Sequence, residues 1–346
     1  MCNIAGYIGT KDAAPILIDM MLREECFNGG FYTGLATISE GRLHYAKREG
    51  NTDYLLATTN AASLPGTVGI MHSRTNDGGG DAWAHPFIGY HGEEAALAYI
   101  ANGSPCYFKD RTAAYSVMVE ELLAQGYRMA RLPHYRNKPY QTLSDGTHVH
   151  MSDAMCQLIL RNMDQGAEAV DAIAEAFCTF TSEIVGLALD PQYPDRIIWS
   201  RINMPVYIAF ADHGAYLSST PMAFPDDIVS EPQLLAPFSS GYVYRDTFTA
   251  KRFPRQVATI APMDMDVRQK AYEAVCARLK EGPERYYPLT VLVEPLFGEG
   301  NINHSNPLVY EILLSLHKQG RLHIEKQPMP AAREDLEGYQ YFMRLK

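Results

Sequence analysis

Short apolar segments of strand length recur along the first 250 residues and alternate with segments of helical spacing. Residues 2–8, 67–73 and 95–101 are apolar runs bounded by polar or glycine-rich sequence, and residues 13–25 repeat apolar side chains at helical intervals. Glu40-Gly41 separates two further strand-like segments, as a two-residue hairpin turn does. Strands at both ends of a region with helices between them predict an α+β domain over residues 2–250, in which sheets pack against helices.

A second, smaller unit is predicted after residue 250. Pro254 and Pro262 lie in a linker-like stretch, residues 267–280 and 306–318 have helical spacing, and residues 287–293, 322–325 and 339–345 are predicted strands. Helices followed by a hairpin outline a winged-helix-like module over residues 263–346. This module has 11 Lys and Arg against 12 Asp and Glu, which favours packing or partner docking over DNA binding.

The charge of the chain excludes several kinds of partner. Among 346 residues, 30 Lys and Arg face 40 Asp and Glu, a net charge of −10, whereas nucleic-acid binders and proteins held on anionic membranes have the opposite balance. No apolar run approaches the roughly 18 residues that span a bilayer, and the first residues lack the pattern of a signal peptide. We therefore expect no nucleic acid, no membrane and a cytoplasmic location.

Six cysteines occur, at positions 2, 26, 106, 156, 178 and 276, and no two form a CxxC pair. This spacing predicts neither a metal cluster nor a disulfide scaffold, so we expect no metal and no cofactor. Cys2 differs from the others because of its position. Removal of Met1 would leave a thiol and a free α-amino group on one residue, which is a nucleophile with its own base.

Three later segments contain groups that a Cys2 nucleophile needs. Arg74 ends an apolar strand before a glycine run, where its guanidinium suits a carboxylate. Asn102-Gly103 is predicted to end the next strand, so that a side-chain amide and a backbone N–H converge on an oxyanion. Asp153 lies at the start of a helix, for which Ser152 or Asp153 is the predicted N-cap. Each segment alone is more often structural: a solvated arginine, a tight turn or a helix cap.

In this order the segments resemble the class II (Ntn-type) glutamine amidotransferase domain. Residues 2–9 are similar to the family's opening nucleophile strand, and His72-Ser73-Arg74 with Ala84-His85-Pro86-Phe87 is similar to its arginine loop in the glutamate-synthase style. Asn102-Gly103 and Ser152-Asp153 match the later motifs. The resemblance covers about residues 2–250 and implies the four-layer αββα sandwich of Ntn hydrolases.

The resemblance also implies a role for each matched residue. Cys2 would attack the glutamine side-chain amide, form a γ-glutamyl thioester and release ammonia, while Asn102 and Gly103 hold the oxyanion. Arg74 would bind the substrate α-carboxylate and Asp153 its α-amino group. The substrate-binding residues predicted in this way are Arg74, Thr75, His85 and Asp153.

The chain departs from the family pattern at three places. Asn28 stands where an arginine that supports the nucleophile is usual, and Thr75 follows Arg74 where an aromatic residue is usual. The segment from residue 104 to 151 is longer than typical and locally basic. We interpret it as a lid or an interface, in which His148 and His150 face solvent rather than a metal.

The expected function is hydrolysis of the glutamine amide to glutamate and ammonia. Because the residues after the domain are too few for a synthase domain, we expect a stand-alone protein that releases ammonia or passes it to a separate synthase subunit. The removal of Met1, assembly into a homo-oligomer and the roles of the module and the insertion stay open.

Two other functions stay open as well. An Ntn amidohydrolase for a γ-glutamyl or other linear amide would keep the fold. The bile-acid and penicillin-type amidases, however, use an arginine in the region where this chain has Leu17, Ile18 and Asp19. A non-catalytic regulatory protein on a degenerate amidotransferase domain would account for the absence of the supporting arginine near Asn28.

Overall fold

A computed structural model describes residues 2–104, 112–133, 142–228, 230–257, 259–298, 304–331 and 333–346. The helices are α1 (Ala13–Asn28), α2 (Thr52–Thr58), α3 (Thr112–Ala124), α4 (Met151–Asp164), α5 (Ala169–Thr179), α6 (Met265–Glu281), α7 (Tyr286–Val293) and α8 (Ser305–Lys318). The strands are β1 (Asn3–Gly9), β2 (Tyr32–Ser39), β3 (Arg42–Glu49), β4 (Val68–Arg74), β5 (Phe87–His91), β6 (Glu94–Ser104), β7 (Arg131–Leu132), β8 (His148–Val149), β9 (Glu183–Leu189), β10 (Ile197–Arg201), β11 (Tyr207–Ala211), β12 (Gly214–Ser218), β13 (Gln233–Leu234), β14 (Ser239–Val243), β15 (Lys251–Arg252), β16 (Leu322–Pro330) and β17 (Glu337–Leu345).

The first sheet has the N-terminal strand at its centre. Its strand order is β13-β11-β12-β1-β4-β2-β3, and β1 pairs antiparallel with both β12 and β4. Side chains alternate along β1, so that Ala5 and Tyr7 pack with α1 while Ile4 and Ile8 face the second sheet. Cys2 therefore precedes a strand that is held by hydrogen bonds on both sides.

The second sheet completes four layers. Its order is β15-β14-β10-β9-β6-β5, and α4 and α5 pack on its outer face. A buried apolar layer that includes Ile100, Leu187 and Trp199 fills the space between the two sheets. Helix, sheet, sheet and helix thus stack in the predicted αββα arrangement, and the predicted fold class is confirmed.

The C-terminal residues pack around their own apolar core and against α1. Helices α6, α7 and α8 and the β16–β17 hairpin enclose this core, to which α1 contributes Phe27. Two hydrogen bonds tie the same region to the sandwich: the Tyr341 hydroxyl donates to the Leu22 carbonyl at 3.4 Å, and the Tyr207 hydroxyl donates to the Pro307 carbonyl at 3.2 Å. The division into residues 2–250 and 263–346 stays a prediction.

One local prediction in this region is wrong. The apolar run at 287–293 forms the helix α7 and not a strand. Tyr286, Leu289, Thr290 and Val293 are its buried residues, and their spacing is that of one helix face. Pro288 lies in the first turn, where a backbone N–H has no acceptor within the helix, so proline is tolerated there.

Among the described residues, no helix combines the length and the apolar character needed to cross a membrane.

Candidate active site

The Cys2 thiol lies at the head of β1, close to the end of β4. Asn3 pairs with Ser73 across these strands, and Thr75 directly follows β4. The Cys2 side chain is buried, and its Sγ lies 3.7 Å from the Thr75 Oγ1 atom. Thr75, predicted to bind substrate, therefore contacts the thiol of the predicted nucleophile.

Asn102 reaches the same residue from the second sheet. Its side-chain Nδ2 donates to the Cys2 carbonyl oxygen at 2.5 Å, and its Oδ1 has no partner in the described part of the chain. The prediction that β6 ends at Asn102-Gly103 is wrong, because both residues continue the strand and pair with Val185 and Ile184 of β9. Asn102 is thus fixed by the sheet rather than by a turn, and its amide is held next to Cys2.

The Arg74 guanidinium is buried and only partly satisfied. Its Nη2 donates to the Gly78 carbonyl, whereas Nε and Nη1 have no partner within the described ranges. Its Cζ lies 4.1 Å from the centre of the Tyr32 ring, a cation–π geometry. These two buried nitrogens leave donors on both edges of the guanidinium that a bound carboxylate can use.

A glycine run makes this arrangement possible. Gly78, Gly79 and Gly80 have φ values of 82°, 99° and 58°, which are in the left-handed region that disfavours residues with a Cβ. A Cβ at Gly79 would also lie 2.6 Å from the Trp83 side chain. The loop can therefore turn sharply and return the Gly78 carbonyl to Arg74.

Three buried imidazoles lie close together beside Arg74, with His72 and His85 tilted and His85 and His150 edge to face. The ring centres of His72 and His85 are 3.8 Å apart, and those of His85 and His150 are 5.6 Å apart. Burial lowers the pKa of His72 to about 3 and holds the pKa values of His85 and His150 well below their usual range, and the charge on Arg74 acts in the same direction. All three rings are therefore neutral at pH 7.

The surroundings of His85 and His150 differ from those predicted from the sequence. His85 is predicted to bind substrate, but neither of its ring nitrogens has a hydrogen-bond partner among the described residues. The prediction that His150 faces solvent is wrong, because it is buried and stacks on Phe87 at 5.0 Å. It is also the N-cap of α4, where its Nδ1 accepts the Ser152 N–H at 3.1 Å, so the prediction of Ser152 or Asp153 as the cap is wrong as well.

Asp153 lies in the first turn of α4 and faces Lys47. Its Oδ2 accepts the Ala130 N–H at 2.7 Å and its Oδ1 accepts from the Gln157 amide at 3.2 Å. Burial raises the pKa of Asp153 to about 6, against the opposing effect of the Lys47 charge. Both side chains line a cleft of about 190 Å³. No hydrogen bond or ion pair in the described ranges joins Asp153 to Cys2 or Arg74.

Two adjacent buried carboxylates lie below the nucleophile strand, and the sequence interpretation missed both. Glu25 accepts from the Ser73 and Thr52 hydroxyls at 2.8 and 3.1 Å and from the Thr52 N–H at 2.9 Å. Glu24 accepts from the Ser219 hydroxyl at 2.9 Å, and the oxygen of that hydroxyl accepts the N–H of Ile4 in β1. The signal was a Glu-Glu pair on a helix face that is otherwise apolar, because such positions rarely hold carboxylates without a reason.

The insertion lies partly outside the described residues, which include neither 105–111 nor 134–141. Its interpretation as a lid or an interface stays a prediction. Across the residues that the structure does describe, no group of three or more His, Cys, Asp or Glu side chains could hold a metal ion.

Comparisons with known proteins agree on one class of enzyme. The chain is 26% identical over 303 residues to the glutamine--fructose-6-phosphate aminotransferase (isomerizing) of Chlorobaculum tepidum, which covers 85% of this chain and 43% of that protein. It is 28% identical over 232 residues to the enzyme of the same name from Leifsonia xyli, with 65% and 32% of the two chains covered. The chain therefore spans less than half the length of these relatives. No protein-family profile matches it.

A solved structure shares the fold. The glutamine phosphoribosylpyrophosphate amidotransferase of B. subtilis, complexed with ADP and GMP, superimposes with a TM-score of 0.59 at 15% identity, over 80% of this chain and 58% of that one. The chain is therefore similar to class II, Ntn-type glutamine amidotransferases in sequence and in fold. The predicted resemblance is thereby confirmed.

In this amidotransferase-like domain the structure brings some predicted residues together and separates others. Cys2 is in direct contact with both Thr75 and Asn102, and Arg74 immediately precedes Thr75. Gly103 follows Asn102 on the same strand, where a Cβ would lie 3.1 Å from the Glu183 carbonyl oxygen. His85 lies among the three imidazoles, and Asp153 lies at the cleft that it lines together with Lys47.

Proposed function

We propose that this domain hydrolyses the side-chain amide of glutamine with Cys2 as the nucleophile. The observation that supports this most strongly is that Cys2 contacts Thr75 through its thiol and Asn102 through its carbonyl, while Arg74, the residue before Thr75, has two buried nitrogens without an acceptor in the described residues. The thiol is the attacking group, and the α-amino group of a processed Cys2 is a base in reach of it. Glutamate and ammonia are the products.

The oxyanion of the tetrahedral intermediate is held by the Asn102 side chain and the Gly103 N–H. Asn102 Nδ2 already donates to an oxygen of Cys2, so the donor is present where the reaction occurs. Donors placed in advance at a buried position stabilise developing charge because they need no reorganisation. Attack on the amide would give this donor a charged acceptor in exchange for a neutral one.

Arg74 binds the substrate α-carboxylate and Asp153 its α-amino group. The Arg74 proposal is supported by Nε and Nη1, which have no acceptor in the described residues, and by the ring of Tyr32 that holds the guanidinium in plane. The Asp153 proposal is supported by its buried carboxylate at an open cleft. The other proposed substrate-binding residues are Thr75, which contacts the Cys2 thiol, and His85, whose ring nitrogens have no partner in the described residues.

We further propose a separate ammonia-accepting synthase subunit and a cytoplasmic location. The surface around α7 supports docking of such a subunit, because Tyr287, Val291 and Leu292 are exposed apolar side chains of the C-terminal module. The location is supported by Cys26, Cys156, Cys178 and Cys276, which are free thiols, as is usual in a reducing compartment.

The test is glutamate release from glutamine by protein whose N-terminal residue has been verified as Cys2. Cys2→Ala should abolish release, whereas Cys276→Ala is the matched control, because Cys276 is a buried free thiol in the C-terminal core. No glutamate from correctly processed protein, or equal rates for Cys2→Ala and the unchanged chain, would contradict the proposal.

A further inference from the structure

A chain of two hydrogen bonds leads from the Cys2 thiol to a carboxylate. The Cys2 Sγ lies 3.7 Å from Thr75 Oγ1, and Thr75 Oγ1 donates to the Asp77 Oδ2 atom at 2.8 Å. A hydroxyl has a single proton, and here the carboxylate accepts it. Thr75 therefore presents only lone pairs to the sulfur, and the thiol is the donor in that contact.

The loop that holds Thr75 and Asp77 is fixed on both sides. The Asp77 N–H donates to the Thr75 carbonyl at 2.9 Å, which closes a tight turn between them. The Tyr32 hydroxyl donates to the Asn76 side chain at 3.3 Å, and Arg74 holds the carbonyl of Gly78. The hydroxyl and the carboxylate are thus positioned by bonds that do not involve the sulfur.

We propose that Thr75 relays the thiol proton during attack and that Asp77, which accepts the Thr75 hydroxyl proton, is the base at the end of this relay. This rests on the proposed function. As the C–S bond forms, the S–H proton moves to Thr75 Oγ1 while the Thr75 proton moves to the Asp77 carboxylate, and the carbonyl electron pair moves to oxygen. When the C–N bond breaks, the same path returns one proton to the nitrogen, which leaves as ammonia.

This path works in parallel with the α-amino group. An α-amino group has a pKa near 8 and is protonated below that pH, so it is then no base. A carboxylate stays a base at lower pH, although a weaker one. The domain should therefore keep part of its turnover rate at pH 6, where an enzyme that used the amine alone would be almost inactive.

The other titratable groups near the Cys2–Thr75–Asp77 hydrogen bonds do not obscure the pH dependence that this proposal predicts. Tyr32 of β2 interacts electrostatically with Asp77, Arg74 and Glu49. His72 of β4 lies near Arg74, and Glu25 of α1 accepts from the Ser73 hydroxyl. Burial lowers the pKa of His72 to about 3 and raises that of Tyr32, so both are neutral between pH 5 and 8. Burial also raises the pKa of Glu25, which is why the variants below are compared with the unchanged chain at every pH.

The first experiment is the pH dependence of glutamine hydrolysis by Thr75→Val, Thr75→Ser and Asp77→Asn. We expect Thr75→Val and Asp77→Asn to lower kcat about 100-fold at pH 6 and far less at pH 9, with little change in KM, because general-base effects are about 10²–10⁴-fold. Thr75→Ser should restore the rate. The double variant should be no slower than either single one, since both remove the same path.

Asp81→Asn is the matched control. It removes the same charge four residues away, where Asp81 accepts the Glu49 N–H and pairs with Arg48, and it should leave the pH profile unchanged. Equal pH profiles for Thr75→Val and the unchanged chain would overturn the proposal, as would an equal loss in Thr75→Ser and Thr75→Val.

A second readout separates this proposal from the proposed function. The rate of alkylation of Cys2 by iodoacetamide, followed on the Cys2 peptide by mass spectrometry, does not depend on glutamine. Suppose that the unmutated protein does not hydrolyse glutamine, but that Thr75→Val alters the pH dependence of alkylation relative to Thr75→Ser. The hydrogen-bond relay is then supported, and the proposed substrate is wrong. If the pH dependence of alkylation is the same in both variants, the hydrogen-bond relay does not act on the thiol.

Discussion

Two buried arginines give opposite expectations for the same substitution. Arg201 donates to the carbonyls of Met204 at 2.7 Å, Asn203 at 2.8 Å and Leu235, so its guanidinium is satisfied. Arg74 donates to one carbonyl only, and two of its nitrogens have no acceptor among the described residues. If Arg74 exists to bind a substrate carboxylate, its replacement by methionine should weaken binding without weakening the fold.

The magnitudes separate the two variants. Arg74→Met loses one charge-assisted hydrogen bond, about 1.5–3 kcal/mol, and a cation–π contact with Tyr32 of about 0.5–2 kcal/mol. It also removes two buried donors without acceptors, each of which costs about 1–3 kcal/mol. These effects nearly cancel, and we expect a change within about 1 kcal/mol. Arg201→Met leaves three buried carbonyls without donors and should cost about 3–5 kcal/mol.

The assay is urea unfolding of both variants and the unchanged chain, with and without glutamate as the product ligand. Glutamate at about 100 times its Kd should stabilise the unchanged chain by about 2.7 kcal/mol, and this gain should vanish in Arg74→Met. The reasoning is refuted if Arg74→Met is destabilised as strongly as Arg201→Met, or if it keeps the full stabilisation by glutamate.

Further predictions concern three other polar side chains. Burial raises the pKa of Glu24 well above its usual value near 4.5. The free energy of unfolding should therefore fall as pH rises above about 4.5, by up to about 1.4 kcal/mol per pH unit. This pH dependence should be flatter in Glu24→Gln but not in the exposed control Glu93→Gln. Burial raises the pKa of Asp153 from its usual 3.8 to about 6, so the stability that Asp153→Asn gains relative to the unchanged chain should grow as pH rises from about 4 to about 6 and then level off, while steady-state assays show a higher KM for glutamine. Asn102→Ala should lower kcat about 10²–10³-fold with KM nearly constant, and an unchanged kcat would remove Asn102 from the oxyanion site.

Local patterns in the sequence predicted much of the sandwich. The turn at Glu40-Gly41 joins β2 and β3 with φ values of 52° and 70°, as a two-residue hairpin requires. The apolar segment at 67–73 forms β4 within one residue of its predicted bounds. Such elements are predictable because both the turn and the alternation are set by residues close in sequence.

The errors arise where packing between distant segments decides the structure. Tyr286 to Val293 is rich in residues that favour strands, yet its buried side chains repeat at helical intervals against α8. Asn102-Gly103 is a common turn pair, but β9 offers hydrogen-bond partners and the strand continues. In neither case does the local sequence show the packing partner, which is α8 for α7 and β9 for β6.

The site was predicted in part, for a similar reason. Cys2, Arg74 and Asn102 lie in motifs whose order along the chain matches known domains, so the resemblance located them. Asp77 and Glu25 join the site only through hydrogen bonds of the folded chain, with Thr75 and with Ser73, the second across 48 positions in sequence. Their residue types fit equally well on a solvated surface.

The most direct measurement of the central claim is a rapid acid quench of the protein with glutamine, followed by peptide mass spectrometry. The account predicts a γ-glutamyl adduct on the peptide that begins with Cys2, more abundant early in the reaction, and absent in Cys2→Ala. Glutamate formation without an adduct on Cys2, at a rate that Cys2→Ala leaves unchanged, would contradict the account.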